Sequence, residues 1–334
     1  MDTLFKYYQT NGVSINLNTT SQQIIALIMI EIFKPNIGKL EVLDKPVKKT
    51  WINISSPDEN DILNLKSIID IPEEVLFSLK DIDEIPTIEE HTNFTFIIIR
   101  TPQKNSNGNE LEYSTVPLGI ILSEDYMISI CFAKNDVIER LKCQKFGFKE
   151  TKPILRLLLL SAKLYLNYLK EINKEIYIIQ KDLERSTKNE EIIKLLGLEK
   201  SLVYFNTSLK SNTLLIKRLS KNEKIIKSYE SKKIMENIID ENVQASEMTA
   251  IYSNILSSMM DAFASVISNN LNTVIKLLTS ITIILMIPTL AASIYGMNVP
   301  LPFQNSPHAF LITMIISLFF SVLGILIFWR RELF

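Results

Sequence analysis

The most distinctive hydrophobic pattern lies near the C-terminus, where two long runs contain no charged residue. They cover residues 277–297 and 309–329, and each is 21 residues long. A helix needs roughly 20 apolar residues to cross the hydrocarbon core of a bilayer. The pattern therefore predicts two transmembrane helices, joined by an uncharged loop over residues 299–308 and followed by a tail over residues 330–334.

Short β-rich runs alternate with amphipathic ones between residues 29 and 150. The strands predicted from these runs are 39–43, 50–55, 94–100, 118–122 and 127–132, with a further strand starting near Met29. Helices are predicted over 57–69 and 72–80, because each segment has proline in its first turn and acidic residues close behind. Residues 29–150 are therefore predicted to form an α/β domain. Residues 1–28 are polar and poorly patterned, and we assign them to an N-terminal extension of unknown role.

Two helical segments follow, with hydrophobic residues at spacings of three and four. Pro153 opens the first, and a polar break over residues 186–190 separates it from the second. An antiparallel helical hairpin over residues 151–228 is the simplest interpretation. The hydrophobic stripe at this spacing is predicted to be core and is assigned no chemistry. Its members are Tyr165, Leu169, Ile172, Ile176, Ile179, Leu183, Leu195, Leu198, Leu202, Phe205 and Leu209.

The chain from about residue 231 to residue 298 contains no proline before Pro288 and no glycine before Gly296. One helix of about 65 residues, close to 100 Å long, is therefore predicted. It forms a stalk over residues 229–276 and continues as the first transmembrane helix over residues 277–298. Such a helix is not stable alone in water, so several copies are expected to associate around an axis.

The first transmembrane helix has a polar stripe, which we predict to line a pore. Its members within the span share one face at spacings of four and three. An alternative stays open, because Ser and Thr in membrane helices commonly bond their own backbone. The predicted pore face, followed from the cytoplasmic side outward, consists of Asp261, Ser265, Ser268, Asn272, Ile275, Leu278, Thr282, Met286, Thr289 and Ser293.

Charge sets the predicted orientation and limits the classes of partner. Lys276 precedes the first span, and Arg330 and Arg331 follow the second, whereas the connecting loop has no Lys or Arg. Both termini are therefore expected to face the cytoplasm of a cell-membrane protein. The near balance of 36 basic and 37 acidic residues argues against nucleic acid as a partner. With two His and no Cys pair at ligand spacing, a structural zinc site is not expected.

The tetrapeptide Tyr295-Gly296-Met297-Asn298 closes the first of these two terminal spans. In this position it resembles the signature of the CorA family of divalent-cation channels. Residues 272–279 and 286–298 also match the family pattern, and a looser resemblance extends back to about Met29. The resemblance implies a pentamer in the lipid membrane that transports Mg²⁺, with Co²⁺ or Ni²⁺ as further candidates.

The resemblance places the selectivity filter at Gly296, Met297 and Asn298. A ring of Asn298 carbonyl groups would hold Mg²⁺ through its hydration shell, since Mg²⁺ gives up water reluctantly. Gly296 is expected to supply backbone freedom where the chain leaves the helix. Asp261 is the carboxylate expected to gather cations at the cytoplasmic exit.

The family also senses cytoplasmic Mg²⁺ through carboxylates, and here the chain departs from the family pattern. Ser78 and Asn237 occupy the positions where acidic partners are expected, so Asp81, Asp83 and Asp240 are the candidate regulatory ligands. In addition, Thr87 replaces a family Arg, while Gln304 and Asn305 lie in a loop where many relatives carry Glu.

Two other functions stay open at this stage. A zinc transporter of the ZntB-like branch usually has Ile where this chain has Met297. A membrane-anchored scaffold without transport activity would not need the stripe from Asp261 to Asn298. An enzyme is not expected, because we find no paired nucleophile and base, no Gly-rich phosphate loop and no cluster of metal ligands in the sequence.

Overall fold

The computed structural model describes residues 30–36, 39–58, 61–62, 65, 69, 71–105, 112–143, 153–185, 189–223, 225–226, 228–298, 302 and 307–330. The chain divides into two compact units, Met1–Ser257 and Ser258–Phe334. The predicted extension over 1–28, most of the 299–308 loop and residues 331–334 lie outside the described residues. The domain boundaries given above stay predictions.

The first unit contains a seven-stranded sheet in the order β2-β1-β3-β7-β6-β5-β4. Strands β3 and β7 are parallel, and every other neighbouring pair is antiparallel. The strands are β1 (Ile30–Asn36), β2 (Lys39–Leu43), β3 (Thr50–Ser55), β4 (Thr87–Glu90), β5 (Thr95–Lys104), β6 (Tyr113–Leu122) and β7 (Tyr126–Cys131).

Helix α1 (Glu73–Ser78) covers one face of the sheet. Val75, Leu76 and Leu79 from this segment join isoleucines of β3, β5, β6 and β7 in one buried cluster. Gly119 of β6 has no room for a side chain, because an added Cβ would collide with Leu79. This close approach explains a glycine inside a buried strand.

A helical hairpin contacts β5 and β6. It consists of α3 (Pro153–Arg185) and α4 (Asn189–Leu219), and α2 (Asp136–Cys143) precedes it. The predicted hydrophobic stripe forms the contact between the two helices: the rings of Tyr165 and Phe205 meet edge to face at 5.0 Å, and both are fully buried. The predicted break over residues 186–190 begins directly after α3 and overlaps the first two residues of α4.

Helix α5 (Tyr229–Tyr295) runs for 67 residues without interruption and includes Pro288. Helix α6 (Ala309–Arg330) follows it. Both contain a stretch that is long and apolar enough to cross a membrane. The prediction of an α/β domain, a helical hairpin and a long helix that continues into a two-helix membrane part is therefore confirmed.

The predicted strand ends differ from the observed ones where proline is involved. Strand β5 extends past Pro102, and β6 begins before Pro117, although proline cannot donate to a strand ladder. Beside Pro102 the β4 partner has already ended, and β7 does not reach Pro117. Each proline therefore lies where its strand has a neighbour on one side only.

Two further predictions in the first unit had other outcomes. Strand β4 was missed, because its two glutamates and partly exposed positions give little strand signal. The helix predicted over 57–69 lies mostly outside the described residues, whereas the one predicted over 72–80 is observed as the shorter helix α1.

Candidate functional site

The signature tetrapeptide lies where helix α5 ends. The Gly296 N–H donates to the Ala292 carbonyl at 3.0 Å, and the Met297 N–H donates to the Ile294 carbonyl at 3.1 Å. The second bond spans three residues instead of four, so the last turn tightens before Asn298. Asn298 follows directly and is exposed.

Gly296 is expected to let the chain leave the helix, and this role stays a prediction. Its φ does not lie in the left-handed region that favours glycine, and an added Cβ would be 3.4 Å from the Ala292 carbonyl oxygen. The tightened turn, rather than a left-handed residue, brings the chain out of the helix. The Tyr295 hydroxyl then donates to the Pro302 carbonyl at 3.1 Å and fastens the loop to the helix end.

One face of the membrane part of α5 packs on α6, and we call it the α6-facing side. A Cβ added to Gly324 of α6 would be 3.5 Å from Ile287 Cδ1 and 3.9 Å from Ile284 Cγ1. Ser280 and Ser321 are buried, at 3% and 8% exposure. At least partly buried along these faces are Ser280, Ile284, Ile287, Ala291 and Tyr295 of α5 and Thr313, Ser317, Ser321, Gly324 and Phe328 of α6.

Sequence reasoning did not identify this contact, although a signal for it exists. Ser317, Ser321 and Gly324 are small residues at spacings of four and three. Small residues on one helical face let two membrane helices approach closely. A search of the second span for this spacing would have found the contact.

The predicted pore face lies on the opposite side of α5. Ser280 and Thr289 illustrate this, since nine residues at 100° each place them about 180° apart. Leu278 and Met286 are 65% and 63% exposed in the single chain, and Ile275 is 51% exposed. Thr282, Thr289 and Ser293 are exposed on the same side.

The two threonines of this face make the backbone bonds that the alternative interpretation expects. Thr282 donates to the Leu278 carbonyl at 2.8 Å, and Thr289 donates to the Leu285 carbonyl at 3.0 Å. Each hydroxyl hydrogen is therefore engaged, while the oxygen lone pairs still accept. A hydrated cation presents water O–H donors, so this arrangement suits contact with its hydration shell.

The N-terminal end of the stripe is also exposed. Asp261, Ser265, Ser268 and Asn272 all lie on the solvent-accessible surface of α5 in the single chain. Within the part of the chain that the structure describes, no group of three or more His, Cys, Asp or Glu side chains is arranged to hold a metal ion. A cation at Asp261 would therefore need ligands from other copies of the chain.

The candidate regulatory carboxylates are exposed but not assembled. Asp81 and Asp83 lie on the turn after α1, where the Asp83 N–H donates to Asp81 Oδ1 at 2.9 Å. Asp240 is exposed on α5. Ser78 donates its hydroxyl to the Val75 carbonyl at 3.0 Å and so caps its own helix. The described residues of one chain do not form a regulatory metal site.

A polar cluster that was not predicted joins the sheet to α3. Lys104 donates to Glu171 at 2.9 Å and to the Tyr113 hydroxyl at 3.0 Å, and Tyr113 in turn donates to Glu175 at 3.1 Å. Burial, followed by the negative charge of Glu112, raises the pKa of Glu175 to about 7. Glu175 therefore titrates near neutral pH.

This pKa predicts a pH-dependent effect of Glu175→Gln. A carboxyl whose folded pKa lies above its unfolded pKa stabilises the fold at low pH, and that contribution is lost as pH rises from about 4.5 to about 7. Gln keeps an acceptor for Tyr113 and cannot ionise. We expect the variant to gain about 1 kcal/mol at pH 8, allowing for solvent screening, and almost nothing at pH 5.

Thermal unfolding at the two pH values measures this difference. Glu171→Gln is the matched control, because it lies one turn away and loses its ion pair with Lys104. That control should not gain stability at pH 8. Equal gains for Glu175→Gln at pH 5 and pH 8 would contradict the assignment.

The contact of α6 with α5 predicts a size limit at Gly324. Gly324→Ala should be tolerated, because a Cβ at 3.5 Å is in ordinary contact. Gly324→Leu should force the two helices apart and cost about 1–3 kcal/mol. Thermal stability of the detergent-solubilised protein checks this, and a Leu variant as stable as the Ala variant would contradict the close packing.

Comparison with known proteins identifies the family. The family described as CorA-like Mg²⁺ transporter protein matches residues 48–331. This chain belongs to that family. Since the family is one of transporters, the prediction that the chain is not an enzyme is confirmed, as is the resemblance drawn from the signature.

One curated relative and two solved structures illustrate the similarity. The cobalt/magnesium transport protein CorA of Methanocaldococcus jannaschii is 28% identical over 308 residues, covering 90% of this chain and 95% of that protein. The complete structure of the CorA magnesium transporter from the same organism matches with TM-score 0.77 at 26% identity, covering 90% of this chain and 98% of that one. The cytoplasmic domain of ZntB from Vibrio parahaemolyticus matches with TM-score 0.57, covering 72% and 98%, and at 12% identity it shares the fold alone.

Proposed function

We propose that this chain forms a CorA-type channel that passes hydrated Mg²⁺ into the cytoplasm down its electrochemical gradient. The observation that carries the proposal is the face of α5 opposite α6. It is exposed in the single chain, combines polar and apolar residues, and leads to the exposed Asn298. A face of this kind in a membrane helix needs partner subunits that enclose it.

Several copies must therefore surround one axis, and we propose the pentamer of the family. The α6-facing side of α5 is already packed, so the opposite side is left to face the axis. The outer surface of α6 is apolar and exposed in the single chain, as expected for a surface that contacts lipid. We propose no nucleic-acid partner.

Asn298 is the proposed filter residue. Its side-chain carbonyl accepts hydrogen bonds from water, and five copies would form a ring that holds the hydrated ion. Residues 277–308 contain no Asp or Glu, so the ion meets no carboxylate that could strip its water. Gly296 and Met297 complete the filter, with Met297 53% exposed in the single chain.

The rest of the pathway follows the same face inward. Thr282 and Thr289 provide acceptors, while Leu278, Met286 and Ile275 are proposed apolar constrictions. Asp261 would gather cations at the cytoplasmic exit. A membrane potential drives entry, because it is worth about 2.3 kcal/mol per charge per 100 mV.

We propose further that cytoplasmic Mg²⁺ gates the channel. Asp81, Asp83 and Asp240 are exposed and would bind Mg²⁺ between subunits, with both termini in the cytoplasm. Mg²⁺ that binds the closed arrangement more tightly would favour closure by that difference in affinity.

Zinc transport is the second candidate, because the ZntB cytoplasmic domain shares the fold. Met297 counts against it, since that branch usually has Ile at this position. The amide oxygens of an Asn298 ring also suit Mg²⁺ better than Zn²⁺, which prefers nitrogen and sulfur ligands.

Ion flux into liposomes that contain the purified protein tests the proposal. Liposomes loaded with a Mg²⁺ indicator should show uptake that depends on an imposed inside-negative potential. Flux of Zn²⁺ with none of Mg²⁺ would favour the second candidate. Absence of flux for Mg²⁺, Co²⁺, Ni²⁺ and Zn²⁺ alike would indicate a scaffold.

A further inference from the structure

A buried cation, Arg100, connects the candidate regulatory turn to the helical hairpin. Arg100 lies on β5 and is 6% exposed. Its Nη1 donates to the carbonyls of Ile82 and Glu84 at 2.6 and 3.2 Å. Its Nε donates to the Ser208 hydroxyl of α4 at 3.1 Å. A buried charge is costly unless its hydrogen bonds are made, so this guanidinium fixes the elements that it contacts.

The turn has an inner and an outer side. Its inner side consists of the two carbonyl groups that Arg100 holds. Its outer side presents Asp81 and Asp83, together with the side chain of Ile82, which is 66% exposed. A cation that binds the outer carboxylates therefore acts on a segment whose backbone is fastened to the guanidinium.

The backbone of Arg100 is fastened to the hairpin as well. Its N–H donates to Asn212 Oδ1 at 3.1 Å, and its carbonyl accepts from Asn212 Nδ2 at 2.7 Å. The same carbonyl accepts from the Tyr165 hydroxyl at 3.0 Å. Asn212 is buried, so α4 cannot shift relative to Arg100 without breaking these bonds.

Helix α4 is bonded in turn to α5. Asn242 of α5 is 2% exposed and donates to the Leu209 carbonyl at 3.2 Å and to the Thr213 hydroxyl at 2.7 Å. Asn242 belongs to the same continuous helix that ends at the filter. A series of buried and partly buried hydrogen bonds therefore runs from the turn through Arg100 and α4 to α5.

We propose that Arg100 is a positioning residue for gating, which transmits the occupancy of the Asp81–Asp83 turn by a divalent cation to α5 through α4 and Asn242. This role rests on the gating part of the proposed function. The planar guanidinium makes these bonds in one fixed geometry, and a Lys ammonium cannot reach the turn and α4 together.

Arg100→Lys in the full-length protein tests the proposal, because it keeps the positive charge and loses the planar guanidinium with its several hydrogen-bond donors. Amide hydrogen exchange over residues 81–85 should rise about tenfold or more. In liposomes, the internal Mg²⁺ concentration for half-inhibition should rise about fivefold or more, while flux at low internal Mg²⁺ stays at the wild-type value. Ser208→Ala, a milder change, should shift both quantities in the same direction.

Asn242→Ala distinguishes the contact between α4 and α5 from the contact between Arg100 and the Asp81–Asp83 turn. It should raise the half-inhibition concentration and leave exchange over residues 81–85 unchanged, since the Arg100 bonds remain. Two controls remove buried hydrogen bonds outside the path. Ser129→Ala affects the sheet, where Ser129 bonds Trp51 and Asn53, and Thr249→Val removes a bond within α5. Neither control should change exchange at the turn or inhibition by Mg²⁺.

Wild-type inhibition in Arg100→Lys would overturn the proposal, as would controls that shift inhibition equally. If the wild-type channel conducts but is not inhibited by internal Mg²⁺, the proposed gating and the transmitting role are both wrong. If the wild type is inhibited and Arg100→Lys retains wild-type exchange at the turn, the positioning role alone is wrong.

Discussion

Asn298→Ala should reduce Mg²⁺ uptake about tenfold or more while the oligomer stays assembled. Asn298 carries the only strong side-chain acceptor of the Gly296-Met297-Asn298 segment, because the Met297 thioether accepts hydrogen bonds only weakly. Loss of a hydrogen bond in a charged environment costs about 1.5–3 kcal/mol, which corresponds to one or two factors of ten. The last turn of α5 is held by backbone bonds, so the substitution should not disturb the fold.

Flux in liposomes and the elution volume of the solubilised protein measure the two parts of this result. Asn270→Ala is the matched control, because it removes the same amide from an exposed position of α5 outside the predicted pore face. Near-normal flux in Asn298→Ala would refute the filter assignment. Loss of flux together with loss of the oligomer would show that Asn298 acts in assembly instead.

Leu278→Asn should leave the channel conducting at internal Mg²⁺ concentrations that close the wild type. A ring of apolar side chains closes a narrow pore because water leaves it, and an ion cannot pass without its water. Leu278 is 65% exposed on the side of α5 away from α6, where such a ring would form. An amide at this position would keep the constriction hydrated.

Ile281→Asn provides the comparison at a similar depth in the membrane. Ile281 is 42% exposed and lies about 60° around the helix from Leu278 and about 100° from Thr282, away from the predicted pore face, so an amide there should leave closure intact. For each variant, the ratio of flux at high internal Mg²⁺ to flux at low internal Mg²⁺ measures how completely the channel closes. A Leu278→Asn channel that closes as completely as the wild type would place the gate elsewhere, with Met286 as the next residue to test.

Local patterns were enough to predict much of this fold. The strands over 39–43 and 50–55 were predicted with their observed ends, because short β-rich runs there stop at polar or turn-forming residues. The 67-residue helix followed from the lack of proline and glycine over a long stretch. The two spans followed from hydrophobicity alone.

The features that were missed depend on partners far away in the sequence. Arg100 bonds residues 108 and 112 positions later, and neither α4 nor β5 carries a local sign of this. The raised pKa of Glu175 depends first on burial and then on the charge of Glu112, which directly precedes β6 and lies 63 positions earlier in the chain. Strand β4 forms because its backbone pairs with the edge of β5. The same limit applies to the regulatory carboxylates, whose ligand set would be completed only between subunits.

The backbone bonds of Thr282 and Thr289 also bear on the sign of the charge that could pass. Both hydroxyl hydrogens are bonded to carbonyl groups of the helix itself. The two threonine hydroxyls therefore present lone pairs, but no hydrogen-bond donors, toward the proposed pore. Chloride would have to lose part of its hydration shell there and would receive no hydrogen bond in return. The water protons of a hydrated cation, in contrast, can bond the oxygen of each threonine hydroxyl. Anion rejection would thus be built into a span that carries no charge at all.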